Sequence, residues 1–160
     1  MLLGVVSDTH GHLSYAREAI RMLESLAPAV VIHCGDIGSA EIVPLFAPWP
    51  THFVLGNADE GLSEIEEAVT GAGQTWHGAF GSLTLFNRHI AFLHGHDAVR
   101  LRREIKSGRW DLVCHGHTHR QDLRREGKTV VLNPGALYRA HPHSLALVDL
   151  ATLDVTPINL

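Results

Sequence analysis

The stretch LLGVVSDTHGH, residues 2–12, decides the class of fold that this chain can adopt. Its first part, Leu2–Val6, is a continuous apolar run, the pattern of a strand that is buried on both faces of a sheet. The run ends in polar residues, and two of them, Asp8 and His10, have side chains that can bind a metal ion. We therefore expect a buried strand with functional side chains in the loop that follows it.

The arrangement of an apolar run followed by a polar loop recurs further along the chain. The corresponding runs are residues 29–34, 52–55, 90–93 and 112–114. Between the first two strands, apolar residues at helical spacing predict a helix that has Ser14 as its N-cap and ends before Pro28. A strand, a helix and a second strand in this order predict a parallel unit.

The remaining elements predict a layered architecture. Short helices are predicted at residues 41–47, 63–69 and 98–106. Hairpins are predicted at residues 83–93, with Asn87-Arg88 as the turn, and at residues 123–132, and a last strand is predicted at residues 144–150. We predict an α/β fold, a layered α/β-sandwich of two facing β-sheets flanked by helices.

Length and composition limit the classes of protein to consider. A chain of 160 residues favours one domain, residues 1–160, and its formal net charge of −4 gives no general attraction to nucleic acid or to an anionic membrane. No apolar run approaches the roughly 20 residues of a membrane span, and residues 1–6 do not resemble a signal peptide. The isolated Cys34 and Cys114 favour buried, reduced thiols. We expect a cytoplasmic protein.

Seven side chains with nitrogen or oxygen donors follow the predicted strands in five separate stretches. They are Asp8, His10, Asp36, Asn57, His94, His117 and His119. Because ligands collect beyond the carboxyl ends of strands in open α/β sheets, we expect these loops to converge. Carboxylate, imidazole and amide donors without cysteine suit Mn²⁺, Fe²⁺, Zn²⁺ or Co²⁺. Seven donors are enough for two adjacent ions, and a dinuclear hydrolytic site is the leading hypothesis.

Each of these residues, taken alone, also has a purely structural explanation. Asp36 has the usual position of a turn or helix-cap residue, and Asn57 behind a glycine is typical of a left-handed turn. His94 alone would be explained as a hydrogen-bonded core histidine. Three histidines within residues 115–119 are harder to explain by packing. The joint occurrence of all these residues favours the metal-site hypothesis.

Five short motifs, in this order along the chain, resemble the signature blocks of the calcineurin-like metallophosphoesterases. They are Asp8-x-His10, Gly35-Asp36, Gly56-Asn57-Ala58-Asp59, His94-Gly95-His96 and Gly116-His117-Thr118-His119. The turn Asn133-Pro134-Gly135 and the chain length resemble the small bacterial and archaeal phosphodiesterase branch, which is related to the non-catalytic scaffold subunit of retromer. Five ordered motifs across residues 8–119 are a specific match.

The resemblance implies a metal-dependent phosphoesterase, and more narrowly a phosphodiesterase. It assigns Asp8, His10 and His119 to one ion, assigns Asn57, His94 and His117 to a second, and makes Asp36 the bridging ligand. Asp36, Asn57 and His94 would contribute to catalysis through the metals that they hold. Two ions lower the pKa of a bridging water, so that hydroxide is available for in-line attack on phosphorus. Manganese is the expected metal, with iron, zinc, nickel, cobalt and magnesium as alternatives.

The chain departs from the family pattern at Ala58, where many members have a histidine that stabilises charge or protonates the leaving group. The loss of a general acid costs about 10² to 10⁴ in rate, mostly with poor leaving groups. We therefore expect a preference for diesters and activated esters over simple alkyl monoesters. His12 and His96 are candidate auxiliary residues, although each could equally be structural. Asp59 is predicted to cap the following helix.

An alternative function is a catalytically weak or inactive scaffold that retains the fold. Exposed apolar residues near Trp49 or Leu137-Tyr138 would be evidence for it. A structural zinc or metal-storage site is disfavoured because the donor set lacks cysteine. The expected partner is a small phosphoester, such as a nucleotide or another phosphodiester, and a homodimer is a further expectation. The basic residues of the helix at residues 98–106 and the segment His141-Pro142-His143 are interpreted as solvated surface.

Overall fold

The computed structural model describes residues 1–160 and contains two β-sheets that face each other. In chain order, the strands are β1 (Leu2–Val6), β2 (Val30–His33), β3 (Thr51–Phe53), β4 (Thr75–Trp76), β5 (Gly81–Leu85), β6 (Arg88–Phe92), β7 (Leu112–Cys114), β8 (Gln121–Glu126), β9 (Thr129–Pro134), β10 (Ser144–Asp149) and β11 (Asp154–Asn159). The helices are α1 (Leu13–Leu26), α2 (Ser63–Gly71), α3 (Ala98–Lys106) and two 3₁₀ helices at Ala40–Phe46 and Asn57–Asp59.

The two sheets have different strand orders, but each contains a run of parallel strands to which antiparallel strands are added. The first has the order β11-β10-β1-β2-β3-β4. In it, β1 to β4 run parallel, β10 pairs antiparallel with β1, and β11 pairs antiparallel with β10. The second has the order β5-β6-β7-β9-β8, in which β6, β7 and β9 run parallel between antiparallel edge strands. In each sheet the carboxyl ends of the parallel strands therefore meet at one edge.

Apolar side chains from both sheets form the central core. Leu3 and Val5 of β1 pack in one buried cluster with Phe92 and Leu132 of the second sheet, and each fully buried side chain of this size stabilises the fold by about 1.5–3 kcal/mol. A second cluster lies between the first sheet, α1, α2 and the longer 3₁₀ helix, and a third lies between the second sheet and α3. The predicted sandwich of two sheets flanked by helices is confirmed.

The start of α1 differs from the prediction. His12 is the N-cap residue, with the extended backbone angles φ −85° and ψ 90°, and the helix begins at Leu13. The Ala16 N–H donates to the His12 carbonyl, so the hydrogen-bond ladder of the helix begins before Ser14. The Ser14 hydroxyl lies 3.1 Å from His12 Nδ1, and the prediction that Ser14 caps the helix is wrong.

The hairpin of β5 and β6 is confirmed, but its turn lies one residue earlier than predicted. Phe86 and Asn87 form the turn, with φ angles of 49° and 58°, as a two-residue type I′ hairpin requires. Arg88 belongs to β6, and its guanidinium donates to the carbonyls of Leu150 and Ala151 at 2.9 and 2.6 Å. These contacts tie the hairpin to the turn that follows β10 of the first sheet.

The sequence analysis did not predict β11. This strand pairs with β10 along residues 154–159 and contains Pro157, which lowers its strand propensity. Because β11 is an edge strand, the missing N–H of Pro157 is tolerated there. Pairing with β10, rather than local propensity, therefore decides the structure of this segment.

Candidate metal centre

The loops after five parallel strands converge at the edge where the carboxyl ends of both sheets lie. Asp8, Asp36 and Asn57 follow β1, β2 and β3 of the first sheet, and His94 and His117 follow β6 and β7 of the second. Residues that are more than 100 positions apart in sequence come into contact there, since His10 Nε2 lies 3.2 Å from His119 Nε2. The predicted convergence of the loops is confirmed.

Four of the seven candidate ligands form a compact group. One donor atom from each of Asp8, His10, Asp36 and His119 lies within 4.8 Å of the corresponding atoms of the others. Asp8 Oδ1 is 3.1 Å from His119 Nε2 and 3.8 Å from His10 Nε2, and Asp36 Oδ2 is 3.5 Å from His10 Nε2. A divalent cation within this group would be near two carboxylate and two imidazole donors.

His94 joins the group from the second sheet. Its Nε2 lies 3.3 Å from Asp36 Oδ2 and 3.9 Å from Asp8 Oδ1. The ring of His117 lies 5.1 Å from the ring of His94, and the His117 N–H donates to Asp8 Oδ2. We refer to Asp8, His10, Asp36, His94 and His119 as the donor cluster. Asp36 Oδ2 therefore contacts one histidine from each sheet, His10 and His94.

The donor cluster contains buried polar atoms without a hydrogen-bond partner. Asp8 Oδ1 and His94 Nε2 are buried and make no hydrogen bond. An unpaired polar atom costs about 1–3 kcal/mol when it is removed from water, so such atoms are rare in folded proteins. Both atoms face the centre of the donor cluster, and a bound cation would satisfy both. The residues therefore fit a metal ion.

Backbone carbonyls set the histidine tautomers. His94 Nδ1 lies 2.8 Å from the Cys34 carbonyl, and His119 Nδ1 lies 3.3 Å from the Arg139 carbonyl. Because a carbonyl only accepts hydrogen bonds, each Nδ1 must carry a proton, and in the neutral imidazole the lone pair therefore lies on Nε2, which faces the donor cluster. Hydrogen bonds of this kind orient and tune histidine ligands in metal sites.

In Asp8 and Asp36, one carboxylate oxygen faces the donor cluster and the other accepts hydrogen bonds from neighbouring groups. Asp8 Oδ2 accepts hydrogen bonds from Ser7 Oγ at 2.5 Å and from the His117 N–H at 3.2 Å. Asp36 Oδ1 accepts a hydrogen bond from the Ala58 N–H at 2.8 Å. One oxygen of each carboxylate therefore holds the loops together, while the other remains directed into the donor cluster. The sequence analysis did not identify Ser7, although its position next to Asp8 was the available signal.

Backbone strain is concentrated at the candidate ligands. Five of the seven have positive φ angles, which are 57° at Asp8, 47° at His10, 53° at Asp36, 71° at His117 and 58° at His119. A left-handed conformation costs a non-glycine residue roughly 1–2 kcal/mol. Such strain persists only where the surrounding structure enforces it, and it is typical of functional sites. Here it turns side chains from separate loops toward one point.

Two glycines allow the ligand loops to approach each other. A Cβ atom at Gly56 would overlap Asp36 Oδ1 and the Asp36 backbone nitrogen. A Cβ atom at Gly116 would overlap Ser7 Oγ and lie 2.6 Å from Asp8 Oδ2. Both positions therefore require the absence of a side chain, because the carboxylates occupy the space that it would fill.

Asp59 has a different role from the one predicted. It is buried, and its carboxylate accepts backbone hydrogen bonds from Ile37, Gly38 and Gly56 at 3.1, 2.8 and 3.0 Å. The following helix, α2, has Leu62 as its N-cap and no side-chain cap. Asp59 therefore ties the loop after β2 to the loop after β3, and the prediction that it caps α2 is wrong.

The charges of the donor cluster depend strongly on one another. Burial raises the pKa of Asp8. Burial also acts to raise the pKa of Asp36, but the contact with His94 and the Ala58 N–H outweigh it and lower this pKa to about 2. Burial lowers the pKa of His10, whereas for His94 the nearby carboxylates outweigh burial and raise it. The site holds carboxylates and imidazoles at close range, and a cation would stabilise the former in their charged form.

The two candidate auxiliary histidines occupy different environments. His96 is exposed, and its ring lies 5.6 Å from His94 and 6.2 Å from His117. His12 stacks on Tyr15 and Tyr138 at ring distances of 4.4 and 4.6 Å. His96 therefore lies against two candidate ligands, whereas His12 is part of an aromatic group at the start of α1.

Asn57 and Ala58 lie at the solvent-facing side of the centre. Both are exposed residues of the short 3₁₀ helix Asn57–Asp59. The Ala58 N–H contacts Asp36, but the Asn57 amide makes no hydrogen bond with the donor cluster. Asn57 is thus brought to the same edge as the other ligands without direct contact between its side chain and theirs.

The thiol side chains of the two cysteines pack in the core and do not belong to the donor cluster. Cys34 and Cys114 are free and fully buried between the sheets, and burial raises the pKa of both thiols. Cys34 contributes its carbonyl to His94, as described above. The predicted packing role of both side chains is confirmed.

The architecture and the donor set can be compared with known proteins. Nitrogen and oxygen donors on loops at the strand ends suit divalent ions that can activate water for hydrolysis. A family profile for the calcineurin-like phosphoesterase superfamily domain matches residues 1–154. The chain belongs to this superfamily and is a metal-dependent phosphoesterase.

Individual relatives agree with this assignment. Phosphodiesterase MJ0936 of Methanocaldococcus jannaschii is 31% identical over 138 residues, which cover 84% of this chain and 83% of the relative. The structure of a novel archaeal phosphodiesterase superposes with a TM-score of 0.91 at 28% identity over the full length of both chains. The similarity confirms the predicted family and its small archaeal and bacterial branch.

More distant structures share the fold alone. Yfce, a phosphoesterase from E. coli, has a TM-score of 0.72 at 16% identity and covers 99% of each chain. Vps29 from Entamoeba histolytica has a TM-score of 0.71 at 19% identity and covers 100% of this chain and 99% of its own. The same architecture therefore carries an enzyme in one case and a protein named for vacuolar sorting in another. None of the helices described here is long and apolar enough to cross a bilayer.

Proposed function

We propose that this phosphoesterase hydrolyses phosphodiesters with two divalent ions, and that its seven candidate ligands hold them. Asp8, His10 and His119 would hold one ion, Asn57, His94 and His117 the other, and Asp36 both. The observation that carries the proposal is the pair of buried, unpaired atoms Asp8 Oδ1 and His94 Nε2, each within 4 Å of donors from the opposite sheet. The set of N and O donors suits manganese, the expected metal, as well as several other divalent ions.

When bound, the two ions supply a hydroxide nucleophile at neutral pH and positive charge for the phosphoryl oxygens. The residues of the chain prepare the site for them. The Cys34 and Arg139 carbonyls hold the Nδ1 proton of His94 and His119, so that Nε2 is the nitrogen each ring presents to a metal ion. Ser7 and the N–H groups of His117 and Ala58 hold the carboxylates in place. This preorganisation lowers the cost of assembling the centre.

The preference for diesters rests on Ala58. Its methyl group cannot donate a proton, so the leaving group must depart without a general acid from this position. A diester with an activated leaving group needs less assistance than an alkyl monoester. His96 is the ionisable side chain beside His94 and His117, and it lies 4.0 Å from Glu60 Oε1. We propose His96 as the auxiliary residue rather than His12, whose ring stacks on two tyrosines.

At the two places where a scaffold would expose apolar residues, around Trp49 and around Leu137-Tyr138, the side chains are buried or, at Tyr138, half-buried. Trp49 is 8% exposed and Leu137 is fully buried, and both belong to the cluster between the first sheet and its helices. They therefore form no exposed apolar patch. All seven candidate ligands are present, which favours the enzyme, because a scaffold is free to lose ligands whereas an enzyme is not.

The test compares hydrolysis of bis(p-nitrophenyl) phosphate and p-nitrophenyl phosphate after chelation with EDTA and addition of Mn²⁺, Ni²⁺, Zn²⁺ or Mg²⁺. We expect metal-restored activity that favours the diester and falls at least about 100-fold in Asp36→Asn and His117→Ala. Asp154→Asn and His89→Ala, both at exposed positions, are the matched controls and should retain activity. A folded wild-type protein without activity under any metal would reject the proposal.

A further inference from the structure

A cleft of roughly 500 Å³ lies directly beside the donor cluster. Two segments line it, residues 117–120 after β7 and residues 139–141 before β10. His119 belongs both to this wall and to the donor cluster, with its Nε2 3.1 Å from Asp8 Oδ1. The cleft is therefore continuous with the site at which the phosphoryl group would bind, and its size lies within the range of about 300–1,000 Å³ for small-ligand sites.

The cleft is cationic although the protein as a whole is acidic. Arg120 and Arg139 line it together with three histidines, and no carboxylate does. Neither guanidinium forms a salt bridge with an acidic residue, so both are free to bind an anion. Two unpaired guanidiniums at one side of a metal centre provide planar donors that match the oxygens of a phosphoryl group.

The backbone holds Arg139 in a fixed relation to the donor cluster. Its carbonyl accepts the hydrogen bond from His119 Nδ1, and the preceding residue, Tyr138, donates its N–H to the Asp8 carbonyl at 3.1 Å. Arg139 has a positive φ of 55°, and its guanidinium lies 5.6 Å from the centre of the Tyr138 ring. The residue is thus anchored through its neighbours to two ligand loops.

Arg120 is held from the other wall. It follows His119 directly, and its N–H donates to Thr118 Oγ1. Thr118 Oγ1 in turn accepts a hydrogen bond from Asn133 Nδ2 at 3.0 Å, and the same Nδ2 donates to the Gly116 carbonyl at 2.9 Å. The turn that carries Arg120 is therefore fixed by a buried asparagine of β9.

We propose that this cleft binds a second phosphoryl group of the substrate, and that Arg120 and Arg139 select phosphodiesters that carry one. The inference rests on the proposed function, since it extends the same site. The metal centre would act on the diester phosphorus, while the two guanidiniums bind the additional phosphoryl group and take no part in bond cleavage. A substrate without this group leaves the cleft to water and loses the charge-assisted hydrogen bonds.

A matched pair of chromogenic substrates tests the proposal. Thymidine 5′-(p-nitrophenyl phosphate) and its 3′-phosphorylated form release the same leaving group and differ by one phosphoryl group. We expect kcat/KM of the manganese-loaded enzyme to be roughly 10- to 100-fold higher for the 3′-phosphorylated form, as expected for hydrogen bonds to a charged group. In the double variant Arg120→Gln/Arg139→Gln this ratio should approach one. Arg125→Gln, at an exposed position of β8, is the control and should keep the wild-type ratio.

The outcomes separate this inference from the proposed function. Hydrolysis of bis(p-nitrophenyl) phosphate reports on the function alone. Equal kcat/KM for the two thymidine substrates in an active wild-type enzyme, or a ratio that the double variant leaves unchanged, would overturn the inference. If no diester is hydrolysed, calorimetric titration of metal-free, desalted protein with thymidine 3′,5′-bisphosphate and thymidine 5′-monophosphate decides it. Tighter binding of the bisphosphate that is lost in the double variant would support the cleft as a phosphoryl site, and equal affinity would reject it.

Discussion

His94 and His119 each present Nε2 to the donor cluster because a backbone carbonyl binds the proton on Nδ1. Asp8 and Asp36 follow the same rule, since each uses one oxygen for hydrogen bonds within the protein and leaves the other for the cluster. At the residue scale, the candidate centre therefore consists of the Nε2 and carboxylate oxygen atoms that face the donor cluster while the other polar atom of each side chain binds elsewhere in the protein. Hydrogen bonds of this kind orient metal ligands and tune their affinity.

The substitution Ala58→His would restore the histidine that the family resemblance leads us to expect at this position. The residue is exposed, so the larger side chain has room. Because an imidazole there can protonate a poor leaving group, we expect kcat/KM for glycerol 2-phosphate to rise roughly 100-fold. The rate with bis(p-nitrophenyl) phosphate should change much less. The measurement is phosphate and nitrophenolate release by the manganese-loaded variant, with Ala58→Gln as the control for side-chain size, and equal gains in both variants would contradict a proton-transfer role.

His33 makes stability depend on pH. It is fully buried, its Nδ1 accepts from the Gly35 N–H, and its Nε2 donates to Thr9 Oγ1 at 2.9 Å. Burial lowers its pKa from 6.5 to about 3. Between these values the unfolded chain binds a proton that the folded chain does not, so stability is complete above pH 6.5 and decreases as the pH falls toward 3.

We therefore expect the unfolding free energy to fall by about 1.4 kcal/mol per pH unit near pH 5 through this residue alone. His33→Gln retains a donor and an acceptor but does not titrate, and it should lose this component. Urea unfolding of both proteins at pH 7 and pH 5 measures the difference. His89→Gln, which changes an exposed histidine, serves as the control, and an identical pH dependence in His33→Gln and wild type would refute the assignment.

At the element scale, the strand-end loops form one bonded unit. The loop after β1 pairs with the loop after β2 through the N–H groups of Asp8, His10 and Gly11, which donate to the carbonyls of residues 35–37 at 2.8–3.0 Å. Asp59 then ties the second loop to the third. A change in one loop should therefore alter ligands that belong to another.

Gly116→Ala tests this coupling. The added methyl group would displace Ser7 and Asp8, which lie on the opposite sheet, and we expect a loss of about 1–3 kcal/mol in stability. Metal affinity should fall as well, because Asp8 is displaced. Gly71→Ala, at the end of α2 with no atom within 4 Å of the added methyl group, should be neutral or slightly stabilising. Urea unfolding and calorimetric titration with Mn²⁺ give both quantities, and unchanged metal binding in Gly116→Ala would argue against the coupling.

At the scale of the whole molecule, the donor cluster connects the two sheets. Asp8 and Asp36 belong to the first sheet and His94 and His119 to the second, so an ion bound between them joins both halves of the sandwich. Because the unfolded chain cannot assemble these donors, metal binding is expected to stabilise the fold.

Calorimetric melting with and without Mn²⁺ measures this effect. At a free Mn²⁺ concentration of about 100 times the dissociation constant, we expect a stabilisation of about 2.7 kcal/mol, which EDTA should abolish. Asp36→Asn should remove most of the increase in Tm, whereas Asp154→Asn should retain it. A wild-type Tm that does not respond to the metal would mean that the donor cluster does not bind it.

Local sequence pattern was sufficient to predict the class of fold and to identify the candidate ligands. Buried strands and the polar residues that follow them, such as Asp8 after β1 and His94 after β6, are features of local pattern, and local pattern is legible in a single chain. The shared edge followed from the rule that parallel strands collect ligands at their carboxyl ends.

The contacts between distant segments could not be predicted from the sequence and became visible in the folded molecule. β11 is a strand because β10 is beside it, Asp59 binds three N–H groups that two other loops bring to it, and the His94 tautomer depends on the Cys34 carbonyl. The cationic cleft likewise exists because residues 139–141 fold against residues 117–120. These interactions join residues that are far apart in sequence, and their geometry follows from the packing of the two sheets rather than from any local preference.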